Sequence, residues 1–364
     1  MTLLQFGRGP VQGDVYLASH PDRVSWGLLP DADAKPALTM RSGQSVTIDT
    51  ISHEGIMEDQ GRDPRAFFGA RGVPADLVLD DVVALAASDV AHDPDLHGPH
   101  VVTGPIEVSG ARPGDVLEVE VLDLRQRAPY GIISNRHGRG ALPGEMPQVP
   151  PGWPAGEPVP PVSLLARADG DTGLLAIGDG RDVRFPLNPF LGIMGVAPAE
   201  PGPWHSVPPG PHGGNLDVNL LGVGASLFLP VRHPGALFYA GDPHFAQGDG
   251  EVALTAFEAP LRATLRLTVH SDHRSRALAA RLTAPWARTD AYHVVMGLDA
   301  DLDEAMRRAT RDALEFLAHH CGLPRAVALA YLSAAADFEV SQVVDRVKGV
   351  HCCLRRTDLD PLHG

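Results

Sequence analysis

The 364-residue sequence predicts a mainly β protein of the α+β class, a β-rich body to which helices are added late. Three observations predict it. Apolar and polar residues alternate in steps of two between positions 101 and 123 and again between 253 and 269, the period of a half-buried strand. Thirty-nine glycines and 34 prolines, spread along the chain, suit many turns and few long helices. Sustained helical spacing appears late, where Leu302, Met306, Ala309, Ala313 and Leu317 recur on one face. With 44% hydrophobic and 21% charged residues, the composition is that of a soluble globular protein able to bury a substantial core.

Residues 1–60 read as short extended segments; Val46 and Ile48 alternate with Thr47 and Asp49 before the run SHEG. Residues 74–87 (ADLVLDDVVALAA after Pro74) predict a short helix. VVTGPIEV, the turn SGARPGD and VLEVEVLDL form a strand–turn–strand unit, with Val119 and Val121 on one face and Glu118 and Glu120 on the other. In ALTAFEAPLRATLRLTV, Leu261, Ala263, Leu265, Leu267 and Val269 alternate with Arg262, Thr264, Arg266 and Thr268. The proline-rich stretches 143–161 and 198–214 are excluded from central strands and helix interiors, and read as long loops over a cavity, oligomer contacts or linkers. Asp301 and Glu304 are spaced as a capping box, and Gly322 and Pro324 stop the helix that follows. RAVALAYLSAAA predicts a second helix, and 338–344 and 350–354 return as strands. Residues 1–300 are expected to form the catalytic body, with 301–364 integrated in the same domain.

The formal charge of −15 argues against nucleic acid or an anionic membrane as partner, because both reward basic surfaces. MTLLQFGRGP lacks the pattern of a signal peptide, and no run is long enough to span a bilayer. Cys321, Cys352 and Cys353 are too few for a disulfide framework, which fits a cytoplasmic location; the vicinal pair reads as buried thiols before it reads as a soft-metal site.

Chemistry concentrates in four clusters. GDPHFAQGDGE (241–251) sets Asp242, His244, Gln247, Asp249 and Glu251 among three glycines, between apolar segments, as a polar loop at a cavity rim would be. Asp49, Ile51 and His53 share one face of an extended chain. His97 and His100 flank Gly-Pro, and HGGNLD supplies Asn215 and Asp217. Mixed histidine and carboxylate sets suit a divalent ion such as zinc, with a ligand position left for water. HExxH, paired CxxC, Walker, EF-hand and GxSxG patterns are absent, and Ser226 falls inside a strand-like run.

Taken in order, TGPIEVSGARPGDVLEVEVLDL, GGNLDVNLLGVGASLFLPV, GDPHFAQGDGE and VSQVVDRVKGVH resemble the acetamidase/formamidase family of amide hydrolases. The resemblance implies a jelly-roll-like β-sandwich with α/β elaborations and C-terminal helices. It also implies metal-assisted hydrolysis of a short amide to a carboxylate and ammonia, in a homodimer or larger homo-oligomer. By matched position it carries over Asn215, Asp217, Asp242, His244, Gln247, Asp249 and Glu251, with looser matches at Asp49 and His100. Where many relatives carry cysteines, this chain has His212 and Val252-Ala253-Leu254, which excludes a thiol nucleophile at those places.

These readings assign Asp49, Asp217 and His244 as metal ligands, with His53, His100 and Asp242 in reserve. Zinc is the expected ion, with calcium as the alternative. Glu251 is assigned as general base and acid, Asn215 and Gln247 as oxyanion donors, and His100, Asp249 and Gly248 as substrate contacts. Gly241, Gly248 and Gly250 would let the backbone turn tightly. Two other functions stay open: a sugar- or small-molecule-binding sandwich whose acidic loop holds calcium, and an amidase for a larger or cyclic amide.

Overall fold

The 261–269 alternation folds as strand Leu261–His270 in the computed structural model, which describes residues 3–360. Leu261, Ala263, Leu265 and Leu267 are buried. Strand Val116–Gln126 runs antiparallel beside it, setting Val119 against Leu267 and Glu120 against Arg266. The apolar pair enters the core, and the charged pair stays outside as an ion pair of 2.6 Å. Arg262 and Thr264 depart from the expected polar face, because both are buried.

These strands lie in a nine-stranded sheet, in the order Val15–Leu17, Ser45–Asp49, Leu261–His270, Val116–Gln126, Ser226–Pro230, Trp286–Arg288, Tyr292–Asp299, Lys348–Arg355 and Asp337–Gln342. A second sheet of eleven strands contains Tyr130–Asn135, Phe257–Glu258, Phe238–Ala246, Phe190–Gly195 and Gly213–Asn215 in that order. Val101–Ser109 also pairs with Phe238–Ala246, and carries Val24–Trp26 and Leu38–Arg41. One apolar cluster joins the two sheets. Val46, Leu117, Val119 and Leu265 of the first meet Leu191, Phe238 and Phe245 of the second. The fold is mainly β, of the α+β class.

At its far end the first sheet is covered on both faces. Val294 and Met296 enter the inter-sheet core, whereas Val295 packs with Phe316 and Leu317 of helix Leu302–His320. Period-two alternation sends neighbours to opposite faces, and here both faces are apolar. The Asp301 carboxylate accepts from the Glu304 N–H, an N-cap worth about 1 kcal/mol. The capping box is only half made, because the Glu304 side chain turns to Arg307 and Arg311. Met306 is 39% exposed, so it lies off the buried stripe expected of it. Arg325–Ala335 is the second helix, and Asp337–Gln342 and Lys348–Arg355 are the returning strands. Positions 361–364 of the C-terminal segment lie outside the described residues.

Three segments differ from expectation. Residues 241–246 are not a loop but the end of the buried strand Phe238–Ala246. Part of the proline-rich 198–214 stretch is ordered by pairing, as Trp204–His205 joins Leu28–Leu29. Residues 74–87 divide into a turn of 3-10 helix, Ala75–Leu77, and helix Asp80–Ala86. Among the described residues, no helix is long and apolar enough to cross a membrane.

Candidate active site

Strand geometry builds the site. Asp242 and His244 stand two residues apart on Phe238–Ala246, so their side chains leave the same face. Beside them, Phe190–Gly195 pairs with both Phe238–Ala246 and Gly213–Asn215. After Asn215 the chain turns back, and the Leu216 and Asp217 N–H groups both donate to the Gly192 carbonyl, at 3.0 and 3.3 Å. That turn aims Asp217 at the same place. Gly192 lies directly beneath, where any Cβ would overlap the carboxylates of Asp217 and Asp242.

Three acids of the site sit in the left-handed region, with φ of 48° at Asp217, 51° at Asp242 and 45° at Glu251. Non-glycine residues held there store about 1–3 kcal/mol each, and such strain concentrates at functional sites. Packing elsewhere must impose it.

The resulting cluster is buried and short of hydrogen bonds. His244 Nε2 is 3.1 Å from Asp242 Oδ2 and 3.0 Å from Glu258 Oε1, without the alignment of a hydrogen bond to either. Its Nδ1 is 3.9 Å from Asp217 Oδ1. Asp242 Oδ1 lies 3.9 Å from both His53 Nδ1 and His100 Nε2. Buried atoms without a hydrogen-bond partner include His53 Nδ1, both Asp217 oxygens, Asp242 Oδ1, both His244 nitrogens, Glu258 Oε2 and Asp345 Oδ2. Buried polar atoms are nearly always paired, and a concentration of orphans in one place calls for a missing partner. Ligand atoms within 4.8 Å of one another form four overlapping groups: His53–His100–Asp242, Asp217–Asp242–His244, His244–Glu251–Glu258 and Asp217–Glu251–Asp345. Asp242 belongs to two of them, so its two oxygens could serve two positions. The residues fit a divalent cation.

Electrostatics agree. Burial, then the neighbouring Asp242, pushes Asp217 up to about 7. Burial pushes Glu258 up to about 8 against the pull of His244. Burial followed by Asp217 raises Glu251 and Asp345 well above the carboxylate range. Burial would raise Asp242 too, but His244, His100 and His53 outweigh it and hold it low. Burial likewise opposes charge on His244, yet Glu258 and Asp242 raise it well above the usual imidazole value. Burial lowers His53, and takes His100 down to about 4. These five acids have no arginine or lysine ion pair among the described residues.

A cavity of about 790 Å³ opens onto the cluster; His53, His100, Asn215, Asp242, Glu251 and Glu258 line it. Pro143, Pro158 and Pro161 from the first proline-rich stretch and His205 and Val207 from the second reach its wall, as does His97. Asn215 presents a carboxamide whose Oδ1 has no partner in the protein.

The structure therefore brings together His53, His100, Asn215, Asp217, Asp242, His244 and Glu251. Four expected site residues stand elsewhere. Strand Ser45–Asp49 ends at Asp49, so the shared face with His53 is lost; the Asp49 carboxylate is bound by Arg262 at 2.6 and 2.8 Å and by the Tyr16 hydroxyl. It has no free oxygen for a metal. Both N–H groups of the Gln247 carboxamide are taken by backbone, Nε2 donating to the carbonyls of Asp217 and Ser341, so Gln247 braces the site instead of stabilising an oxyanion. Gly248 and Asp249 are exposed, and Asp249 accepts from Asn219. Neither lines the cavity.

Sequence reasoning does not single out Glu258 or Asp345. Glu258 sits in an alternating strand pattern that reads as an ordinary solvent-facing acid, and Asp345 in VSQVVDRVKGVH has no histidine beside it in sequence. The one available signal is the latter's place in the family-like block.

Comparison with known proteins identifies the family. The profile of the Acetamidase/Formamidase family matches residues 80–203 and 202–354. The acetamidase of Mycolicibacterium smegmatis is 32% identical over 215 residues, 46% of this chain and 52% of that protein. The formamidase of Methylophilus methylotrophus is 31% identical over 209 residues, 46% of this chain and 50% of that protein. The chain thus spans about half the length of the curated relatives it matches. The crystal structure of an acetamidase from Bacillus halodurans superposes with a TM-score of 0.73 at 27% identity, covering 96% of this chain and 100% of that one. The profile match over most of the chain leads to one assignment: this chain belongs to the acetamidase/formamidase family.

Proposed function

We propose that the protein hydrolyses amide C–N bonds to a carboxylate and ammonia, with metal assistance. The observation that carries the reading is the set of buried, unpartnered imidazole and carboxylate atoms around Asp242 at the floor of the cavity. His53, His100 and Asp242, with Asp217 and His244, would hold a divalent ion, zinc being the choice of a mixed imidazole and carboxylate set. When bound, such an ion supplies Lewis acidity to an oxygen ligand and lowers the pKa of water.

The protein's own groups do the rest. Glu251 faces the cavity, and takes a proton from the water that attacks the carbonyl carbon. It returns that proton to the amide nitrogen as the C–N bond breaks, the bonding pair leaving with nitrogen as ammonia. Asn215 donates to the carbonyl oxygen where negative charge develops. Gln247 holds the Asp217 turn against Ser341, and Gly192 leaves room for the acids to converge.

Calcium binding without turnover is the weaker reading, since three imidazoles reach the cluster and calcium prefers oxygen ligands. A larger amide is supported by the cavity: 790 Å³ falls within the range of about 300–1,000 Å³ that holds drug-sized ligands. Ammonia release by purified protein from formamide, acetamide and longer or cyclic amides, with and without chelator, tests the proposal. Chelator-sensitive release supports it. Metal-loaded protein that hydrolyses none of these amides counts against it.

A further inference from the structure

We propose a second metal site, separate from the cavity, in which Glu339, His351 and Cys353 of the C-terminal hairpin bind one Zn²⁺. The antiparallel register of Asp337–Gln342 with Lys348–Arg355 sets Glu339 opposite His351 and Asp337 opposite Cys353. Residues two apart on a strand share a face, so all four project from the same side. One ligand atom from each of Glu339, His351 and Cys353 lies within 4.8 Å of the others.

The spacing is close to what zinc needs. Bonds of about 2.0–2.3 Å in a tetrahedron separate ligand atoms by about 3.3–3.8 Å. Glu339 Oε2 and His351 Nε2 are 3.2 Å apart, and the thiol needs to approach by about 1 Å at most to complete the set. On the other side of the ring, His351 Nδ1 lies 2.8 Å from Ser341 Oγ. With the metal on Nε2, Nδ1–H donates to that hydroxyl, the support that ligating histidines regularly have.

Charge and access fit as well. His351 and Cys353 are buried, while the Glu339 side chain is 46% exposed, so an ion enters from solvent beside Glu339 and keeps water in the fourth position. The Cys353 thiol gives up its proton to solvent as the thiolate forms. Asp249 adds a further negative charge near both His351 and Cys353. A thiolate and an imidazole select zinc over calcium or magnesium. Cys352 takes no part; it points to the opposite face, into the apolar cluster with Phe316 and Leu317.

Cobalt(II) titration of the full chain tests the site, because the cavity cluster contains no cysteine, and a thiolate-to-cobalt charge-transfer band therefore comes from outside the cavity, its cysteine being assigned by substitution. The band should appear in the unmodified protein, persist in Cys352→Ser and vanish in Cys353→Ser, with zinc content falling by about one ion per chain. Amide hydrolysis should be unchanged in Cys353→Ser, so the outcome does not depend on the cavity's chemistry. Should Cys353→Ser fail to fold, Glu339→Gln serves instead, with cobalt affinity for the band lowered at least about tenfold. No band in the unmodified protein, a band that survives Cys353→Ser, or unaltered affinity in Glu339→Gln would overturn the proposal.

Discussion

Two buried charge centres in this molecule are built on opposite principles. In the first, Asp49 and Asp81 face Arg262 and Arg127 in the protein interior. Each guanidinium also donates to backbone carbonyls, Arg262 to those of Gln5 and Arg8 and Arg127 to those of Leu4 and Thr50. Ser19 and Tyr16 complete the carboxylates. Two negative charges meet two positive ones. In the second centre, Asp217, Asp242, Glu251, Glu258 and Asp345 gather with three histidines and no arginine or lysine partner among the described residues, leaving ligand atoms unpaired. The carboxylates of the first centre are all paired as folded, whereas the second leaves ligand atoms free for the divalent ion proposed above. Burial alone therefore does not separate structural acids from functional ones; the state of their lone pairs does.

The sharpest way to break the second centre is Gly192→Ala, whose methyl overlaps Asp217 and Asp242. Metal content and ammonia release should both fall to background, while far-ultraviolet circular dichroism stays that of the parent. Glu251→Gln separates chemistry from binding: turnover should drop about 10²–10⁴-fold with metal content unchanged. Parallel loss of metal would move Glu251 into the ligand shell.

The first centre answers to stability instead. Arg262→Ala leaves the buried Asp49 with only the Tyr16 hydroxyl and Arg127 Nε at 3.8 Å, and should destabilise the fold by up to about 3–5 kcal/mol in denaturant titration. Replacing both partners, Asp49→Asn with Arg262→Met, should recover much of that loss. If the single and double variants unfold alike, the pair is not the source of the effect.

Acidity distinguishes the centres more gently. In metal-free protein Asp217 and Glu258 are raised to about 7 and about 8, so between pH 5 and 8 the folded state holds protons that the unfolded chain has lost. His244, also raised, acts in the same direction above its unfolded value. His53 and His100, which burial lowers, oppose this below about pH 7, so stability should fall as pH rises from 7 to 8, by on the order of 1.4 kcal/mol per pH unit for each such group at most. Zinc should flatten the slope, and a metal-free protein more stable at pH 8 than at pH 7 would contradict the assignment. The smallest change belongs to Asp249→Asn: on the surface, away from the cavity, it should leave kcat/KM within about twofold and stability within about 0.5 kcal/mol.

How legible this was follows from the physics of each feature. The strands at 116–126 and 261–270 and the helix at 302–320 could be read because a periodic pattern is local. Asp242, His244 and Asp217 could be read because unusual polar residues interrupt apolar runs. Asp49 misleads, since the neighbour that decides its role, Arg262, lies more than two hundred positions away and meets it only through strand pairing. Glu258 and Asp345 escape for the converse reason, each looking ordinary in its own segment.

By itself, the amino-acid order determined the class of fold, the placing of its strands and late helices, and the supply of histidines and acids from separate segments. Local periodicity and side-chain chemistry are written in neighbouring residues. Only the tertiary structure decided which acids would be neutralised by arginine and which would be left facing one another above Gly192. That choice depends on register between strands distant along the chain, where one residue of slip turns a side chain to the opposite face.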